Sequence, residues 1–381
     1  MKSVANRYTK EMGWESPHHT DLDSAQTLVL FFAARSFENQ QMIEDLHQAF
    51  PKAHIAGCST AGEILNGQVS DESLVYIVMA FENTSVQIES IPNYLGENIE
   101  ECGHKMADKL YDKDLAHLFL LCSGFNINID DFISGFKKNS GRDIPVSGGI
   151  AADGEAFLKT WVYHNGFYEN GIVCIGLYGQ DIRVSQGCEG GWIKFGLELK
   201  ITKSQKNCLY EIDGEPALAI YKRYLGNLSE KLPSSGLLFP LAIRKNTEST
   251  PVVRTILSVD EATQSIIFAG EIPQGWLASL MRCSNEGLLE GARKAACQSA
   301  PNTIEPTVSL VVSCIGRRMV LGQGSFHELA MAMSTMPKMS HIDIGFYSYG
   351  EISERAGINS KLHNQTMTIS TLYELSNGQI T

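Results

Sequence analysis

The chain has 381 residues, which is more than one hydrophobic core usually supports, so two or three domains are expected. Its 31 basic and 43 acidic side chains give a net charge of −12, which disfavours nucleic acid and anionic membrane surfaces as partners. Residues 1–24 contain no apolar stretch of signal-peptide length, and the longest apolar runs are only as long as strands. We therefore expect a cytoplasmic protein in which residues 1–24 form a flexible leader.

Nine cysteines are spread at irregular spacing and include no Cys-x-x-Cys pair. An odd number without paired spacing favours reduced, buried thiols over a disulfide framework or a zinc site. This pattern agrees with a cytoplasmic location.

The first half of the chain alternates apolar runs with amphipathic segments. Strands are predicted at 27–33, 53–57, 74–81 and 116–122. Helices are predicted between Ser36, which can cap the first of them, and Pro51, and then at 97–111 and 129–138. The alternation indicates a mixed sheet with helices packed on it.

The pattern changes after Lys159, where Asn165-Gly166 and Asn170-Gly171 predict hairpin turns. Helices are then predicted at 215–225 and 284–297, with strands at 252–258, 265–269, 307–314 and 342–350. We place a boundary near residue 190, which gives domains at 25–190 and 191–381. The predicted fold is α+β, with two related halves that are each a mixed or largely antiparallel sheet covered by helices. A four-layer αββα arrangement is the alternative.

Two segments far apart in the chain, Gly57–Ile64 and Tyr347–Ile352, each follow an apolar run and end on Gly-Glu-Ile. The first segment can present backbone N–H groups and the hydroxyls of Ser59 and Thr60 to an anionic ligand. Gly and Ser also dominate ordinary turns, so a plain tight turn is the competing interpretation. Cys58 is a further ligand-binding candidate, although a buried structural thiol is the simpler interpretation.

The two glutamates of these segments, Glu63 and Glu351, are candidate pocket residues, and Tyr349 precedes the second of them. Paired carboxylates can perform acid and base chemistry, but a glutamate that accepts hydrogen bonds from loop amides is the more common case. The sequence does not indicate that the two carboxylates meet.

Histidines provide the metal-ligand candidates. His363 lies beside Asn364 and Gln365, whose side chains can fix an imidazole tautomer and are themselves ligand-binding candidates. His341, before the strand that leads to Tyr349, is the second candidate. The same polar cluster could instead satisfy its own backbone.

These motifs resemble those of the FIST sensory proteins, which have two parts called FIST N and FIST C. The resemblance also covers four further segments, namely Ser147–Gly154, Asp213–Leu218, Leu237–Leu241 and Ser313–Arg318. It extends over about residues 25–375.

The resemblance implies an intracellular ligand sensor and not an enzyme. One subset of the family binds haem and senses nitric oxide, and it regulates a partner histidine kinase or a cyclic-di-GMP enzyme, that is a diguanylate cyclase or phosphodiesterase. On that basis we expect a non-covalent haem b held by His363 or His341, a role in biofilm control, and a homodimer. The alternative is a sensor or binding module for a small metabolite such as an amino acid, without haem.

Overall fold

The computed structural model describes residues 1–124, 127–337, 340–355 and 358–376. Strands and helices occur in both halves, which confirms the α+β class. Within the described ranges, no helix is both long enough and apolar enough to span a membrane.

The elements are given in chain order. Residues 1–80 contain β1 (Lys2–Thr9), β2 (Gly13–Trp14), β3 (Thr27–Ala34), α1 (Gln41–Ala49), β4 (His54–Thr60), β5 (Glu63–Leu65), β6 (Gln68–Ser70) and β7 (Ser73–Ala80). Residues 81–178 contain β8 (Ser85–Ile91), α2 (Ile99–Leu110), β9 (Leu115–Cys122), α3 (Ile129–Ser140), β10 (Val146–Ile150), β11 (Val162–Tyr163), β12 (Phe167–Tyr168) and β13 (Ile172–Tyr178).

After β14 (Ile182–Glu189) the chain enters an inserted domain, residues 193–282. This domain contains β15 (Ile193–Gln205), β16 (Cys208–Ile212), β17 (Glu215–Pro216), α4 (Ala217–Leu225), β18 (Leu241–Arg244), β19 (Val252–Arg254), β20 (Ile256–Asp260), β21 (Ser265–Phe268) and β22 (Leu277–Arg282). The last segment supplies α5 (Asn285–Ser299), β23 (Thr307–Cys314), α6 (Ile315–Leu321), α7 (Ser325–Met333), β24 (His341–Ser348), β25 (Gly350–Arg355), β26 (Ile358–His363) and β27 (Met367–Glu374).

Two sequence expectations were wrong. Ser36 does not cap a helix, because α1 begins at Gln41 and the Ser36 hydroxyl instead donates to Glu72 at 2.8 Å. Residues 1–24 are not a flexible leader, because β1 pairs with β7 along its whole length and the Asn6 side chain is buried. The strand β1 is largely polar, so it contains no apolar run from which a strand could have been predicted.

Three sheets enclose one shared core. Their strand orders are β12-β11-β4-β3-β7-β1-β2, β26-β25-β10-β9-β13-β8 and β14-β27-β23-β24-β5-β6, and we call them the first, second and third sheets. Phe32 of β3, Leu121 of β9 and Leu310 of β23 all face the shared core. In each of these strands, the neighbouring residues face the opposite side of the sheet and pack against helices. Both faces are therefore buried, which explains why these strands read as continuous apolar runs. The four-layer alternative, with two sheets, does not describe this arrangement.

The three sheets repeat one topology. Each copy has four main strands in chain order: β1, β3, β4, β7 in the first, β8, β9, β10, β13 in the second, and β14, β23, β24, β27 in the third. In every copy the second strand pairs in parallel with the third and antiparallel with the fourth. The fourth strand also pairs antiparallel with the first. The sequence predicted two related halves, 25–190 and 191–381. The first and second copies both lie before residue 190, and the third copy begins at β14 and is completed after the inserted domain.

Each copy donates a hairpin to the sheet of another copy. The hairpin β5–β6 pairs with β24, β11–β12 pairs with β4, and β25–β26 pairs with β10, so the exchange closes as a cycle. The turns after β4, β10 and β24 therefore meet, and we call them the first, second and third corners. Three backbone hydrogen bonds close the ring between the corners: Ala61 N to Tyr347 O at 2.9 Å, Ala152 N to Ser59 O at 3.0 Å, and Tyr349 N to Ile150 O at 3.1 Å.

A glycine occupies the same position in each parallel pair, namely Gly57 opposite Phe31, Gly148 opposite Leu120 and Gly345 opposite Val311. At each position a Cβ atom would collide with the carbonyl oxygen of the paired residue. The absence of a side chain thus lets the two backbones approach closely just before each corner.

The inserted domain has its own sheet, in the order β19-β18-β22-β15-β16-β21-β20 with β17 beside β16, and its own apolar core. The boundary predicted near residue 190 falls where the chain passes from β14 into this domain. After β22 the chain returns to complete the third sheet.

We predict that Gly345→Ala lowers the free energy of unfolding by about 1–3 kcal/mol, because the new methyl group would overlap the Val311 carbonyl oxygen. Gly166→Ala is the matched control, since the nearest atoms to its Cβ position are 3.7 Å away. Chemical denaturation of both variants would measure the effect. Equal stabilities for the two would contradict the close-approach argument.

Candidate functional site

The first and third corners each enclose a glutamate in the same way. At the first corner the Thr60 hydroxyl donates to Glu63 Oε1, while the backbone N–H and hydroxyl of Ser73 donate to Oε2 at 3.2 and 2.6 Å. At the third corner the Ser348 hydroxyl donates to Glu351 Oε1 at 2.8 Å. The second corner has Gly154 at the corresponding position and so has no such carboxyl.

Thr366 completes the third corner as Ser73 completes the first. Its backbone N–H and hydroxyl donate to Glu351 Oε2 at 3.1 and 2.9 Å. The strand registers place Ser73 and Thr366 at equivalent positions. Each carboxyl is thus hydrogen-bonded within its own corner, which is the glutamate-to-loop arrangement that the sequence left open.

Both carboxyls are fully buried, and this controls their ionisation. Burial raises the pKa of Glu63 to about 8, although the hydroxyl and amide donors of Ser73 and Thr60 oppose the shift. Burial likewise raises the pKa of Glu351 to about 7, opposed by Ser348, Thr366 and Arg317. Each group can therefore hold its proton near neutral pH.

The residues just before Ser73 and Thr366 differ sharply in environment. Gln365 and its counterpart Glu72 share a left-handed backbone, with φ of +61° and +49°. Asp71 and Glu72 are exposed acids, and Asp71 forms a bidentate ion pair with Arg318 at 2.7 Å. The corresponding Asn364 and Gln365 are 1% and 0% exposed.

The side chains of Asn364 and Gln365 end in buried carboxamides. None of their four nitrogen and oxygen atoms has a hydrogen-bond partner among the described residues, although all four are buried. Leaving one buried polar group unpaired costs about 1–3 kcal/mol. A left-handed non-glycine residue adds about 1–3 kcal/mol of strain and often marks a functional position. This combination is what a ligand site would require.

Both amides lie against the chain that follows the carboxyl ends of β23 and β24, whose last residues Cys314 and Ser348 are paired. A Cβ at Gly316 would lie 2.6 Å from Gln365 Nε2, and one at Gly350 would lie 3.6 Å from Asn364 Nδ2. The carboxyl ends of strands are the usual location of ligand sites in sheets covered by helices.

Two thiols adjoin the Glu351 carboxyl. Burial raises the pKa of Cys314, and the Glu351 charge raises it further. Burial also raises the pKa of Cys188 to about 12, with Glu351 adding to the shift and Arg355 opposing it. We did not predict either thiol as a site residue, although Cys314 belongs to one of the segments that resemble the FIST family.

The other candidates within Gly57–Ile64 contact protein groups, and their role in ligand binding stays a prediction. Cys58 is fully buried in the shared apolar core, where burial and the Glu63 carboxylate raise its pKa. The Ser59 hydroxyl oxygen accepts the Trp161 backbone N–H at 3.0 Å. The Thr60 hydroxyl donates to the Glu63 carboxyl, which also accepts the two hydrogen bonds of Ser73.

Tyr349 lies at the third corner but faces the second. Its hydroxyl contacts the buried carboxylate of Asp153 and the carbonyl oxygen of Gly154 at 2.9 Å. Its ring stacks on Phe157 with centroids 4.5 Å apart. Tyr349 therefore joins two corners, and its side chain is engaged by protein groups.

The two histidine candidates are not brought together. His341 begins β24, and seven residues of strand, about 23 Å, separate it from Ser348. Its Nδ1 lies 2.7 Å from the Thr307 hydroxyl, and burial lowers its pKa. In the described part of the chain, no group of three His, Cys, Asp or Glu side chains is arranged to hold a metal ion.

His363 is only 2% exposed, and its Nε2 lies 3.2 Å from the Ser353 carbonyl oxygen. Burial lowers its pKa to about 3, so the ring is neutral, as an iron ligand must be. Because the ring is enclosed by protein, the imidazole as folded is not accessible to a haem.

Two cavities elsewhere contain none of the predicted site residues. One, of about 20 Å³, lies in the inserted domain between β15 and α4. The other, of about 240 Å³, lies between β8 and α2 and is lined partly by Cys102 and Met106. Among the described residues, Asn364 and Gln365 are the two in which both polar side-chain atoms are buried and unpaired, whereas residues such as His117, His341 and Tyr347 have one such atom each. The third corner is therefore our candidate ligand site.

We predict that Glu63 makes the protein less stable as pH rises from about 4.5 to about 8, because this glutamate ionises in the unfolded chain while the folded state still holds its proton. The stability of Glu63→Gln relative to wild type should increase over this window, by at most about 1.4 kcal/mol per pH unit. Urea denaturation at several pH values measures this, with the exposed Glu44→Gln as control. A pH-independent difference would contradict the raised pKa.

Comparison with known proteins identifies the family of the chain. The FIST N domain matches residues 27–215 and the FIST C domain matches residues 217–354, so the two matches meet within the inserted domain. An uncharacterized protein of Methanocaldococcus jannaschii is 25% identical over 384 residues, covering 88% of this chain and 71% of that protein. FIST domains are sensory, ligand-binding modules of signal transduction. This chain belongs to the FIST family.

Proposed function

We propose that this protein senses a small polar molecule that binds at the third corner, between Glu351 and the carboxamides of Asn364 and Gln365. One observation carries the proposal, namely the four buried amide atoms that have no partner in the part of the chain that the structure describes. A ligand that bonds these atoms would recover the free energy that their burial costs. The metabolite-sensor alternative drawn from the sequence is therefore the function that we favour.

The inserted domain provides a route for the signal, since it contacts one end of the segment that carries the amides and the linker that leads into it contacts the other. Arg254 of β19 is 4% exposed, and its Nη1 donates to the Leu362 carbonyl oxygen at 3.1 Å. At the other end Trp192, in the linker to the inserted domain, donates Nε1–H to the Gln365 carbonyl oxygen at 2.8 Å.

A ligand shifts an equilibrium only if it binds one arrangement better than another. We propose that the two arrangements differ in how Leu362–Gln365 is held by Arg254 and Trp192. Asp130 strengthens this connection, since it accepts the Leu362 backbone N–H at 2.7 Å and lies 3.5 Å from Arg254. Occupancy of the corner would in this way change the position of residues 193–282.

Haem binding and nitric oxide sensing stay predictions, as do the histidine kinase or cyclic-di-GMP enzyme partner, the homodimer and the cytoplasmic location. The neutral ring of His363 favours a haem, whereas its enclosed position does not. A change in kinase autophosphorylation or cyclic-di-GMP turnover on adding this protein would support the partner.

We predict that Asn364→Leu and Gln365→Met abolish ligand binding while leaving stability unchanged or raising it, because each removes a buried unpaired amide. Thermal shift with the twenty amino acids, urea and nucleobases measures binding for wild type and both variants. Loss of stability in the variants, without any amide-dependent ligand, would indicate a structural role for the amides.

The same preparations separate the haem alternative. If the metabolite proposal is correct, hemin should give only the broad absorption of loosely adsorbed pigment. A sharp Soret band that shifts on reduction and with nitric oxide, and that is lost in His363→Ala, would instead establish the haem sensor.

For the connection to the inserted domain, we predict that Arg254→Met speeds hydrogen exchange at the backbone N–H groups of Leu362 and Thr366. The cause is loss of the Arg254 hydrogen bond to the Leu362 carbonyl oxygen. Arg244→Met is the matched control, because Arg244 lies in the same domain but pairs with Glu198. Exchange rates equal to those of wild type would contradict this route.

A further inference from the structure

Among the described residues, the third corner has unpaired carboxamides but no unpaired charged side chain. A carboxamide has one acceptor oxygen and two N–H donors, so Asn364 and Gln365 together offer acceptors and donors side by side in the chain. The Glu351 carboxyl of this corner already accepts three hydrogen bonds.

The neighbouring guanidinium is also saturated. Arg317 is fully buried, and its five N–H groups donate to the Glu328 carboxylate and to three carbonyl oxygens. Those carbonyl oxygens belong to Gly190, Leu288 and Gln365. Arg317 and Glu328 thus neutralise each other, and neither is available to a ligand.

From this inventory we infer that the ligand of the third corner is uncharged and carries an adjacent donor and acceptor, as in a primary amide, a urea or the edge of a nucleobase. The inference rests on the proposed function and specifies its ligand class. A protein carboxamide is complementary to such an edge, because its N–H donor can face the ligand's acceptor while its oxygen faces the ligand's donor.

Desolvation supports an uncharged ligand. An ion that enters a buried site without a counter-ion loses its hydration and gains no compensating charge. For a neutral ligand the desolvation cost comes only from its own polar groups, and the two amides can form hydrogen bonds with these. The surrounding residues are nearly all inaccessible to solvent, so the ligand must also be small.

The first corner provides an internal comparison. At the equivalent backbone positions it has Asp71 and Glu72, which are exposed and charged, and Asp71 pairs with Arg318. A corner built for an ion would keep such charges, whereas the third corner has neutral amides at both positions. Gly316 also leaves room for the Gln365 amide, since a Cβ there would lie 2.6 Å from its nitrogen.

Matched pairs of small probes test the ligand class. Acetamide is compared with acetate, and urea with guanidinium, in ligand-observed NMR titrations of the full chain. The uncharged member of each pair should bind at least about tenfold more tightly, which is about 1.4 kcal/mol. Asn364→Leu and Gln365→Met should remove this preference, and the control Asp71→Asn should retain it.

Two results would overturn the inference in different ways. If acetate or guanidinium binds as tightly as its neutral partner, and this binding depends on Asn364 and Gln365, the site stands but the ligand class is wrong. If no probe shows binding that depends on these amides, the proposed function fails together with the ligand class. In either case, differential scanning calorimetry of the variants establishes whether they are folded.

Discussion

The cyclic exchange of hairpins among the three sheets is the constraint on which the rest of the structure depends. Each copy of the four-stranded unit leaves one edge of a main strand open, and the hairpin of another copy covers it. The exchange brings the three corners together, where Ala61, Ala152 and Tyr349 close the ring with backbone hydrogen bonds. Pairing along a covered edge also protects the strands from pairing with other chains.

One backbone arrangement supports different chemistry at different corners. The first and third corners both hold a buried glutamate, but the residues beside it are exposed acids in one and buried amides in the other. The difference arises from what covers them. Arg317, Trp192 and the inserted domain surround the third corner, whereas solvent reaches the first. Thus a ligand site can develop at one corner while another retains a structural role.

The apolar strands could be predicted because both of their faces are buried, and β3, β9 and β23 lie within a residue or so of their predicted positions. The Gly-Glu-Ile repeats indicated the first and third corners, but the second copy has Gly154 in place of the glutamate and left no repeat to detect. Asn364 and Gln365 could be named as candidates. Their burial could not be predicted, since it depends on residues 192 and 254, which are distant in the sequence.

A high-resolution structure of the protein, from crystals grown with acetamide or urea, would show whether the third corner binds a ligand. We predict electron density for the probe at this corner, within hydrogen-bonding distance of the Asn364 and Gln365 carboxamides and enclosed by Glu351 and Gly316. Amides that instead bond protein atoms, with the probe absent from the corner, would contradict the assignment of this corner as the ligand site.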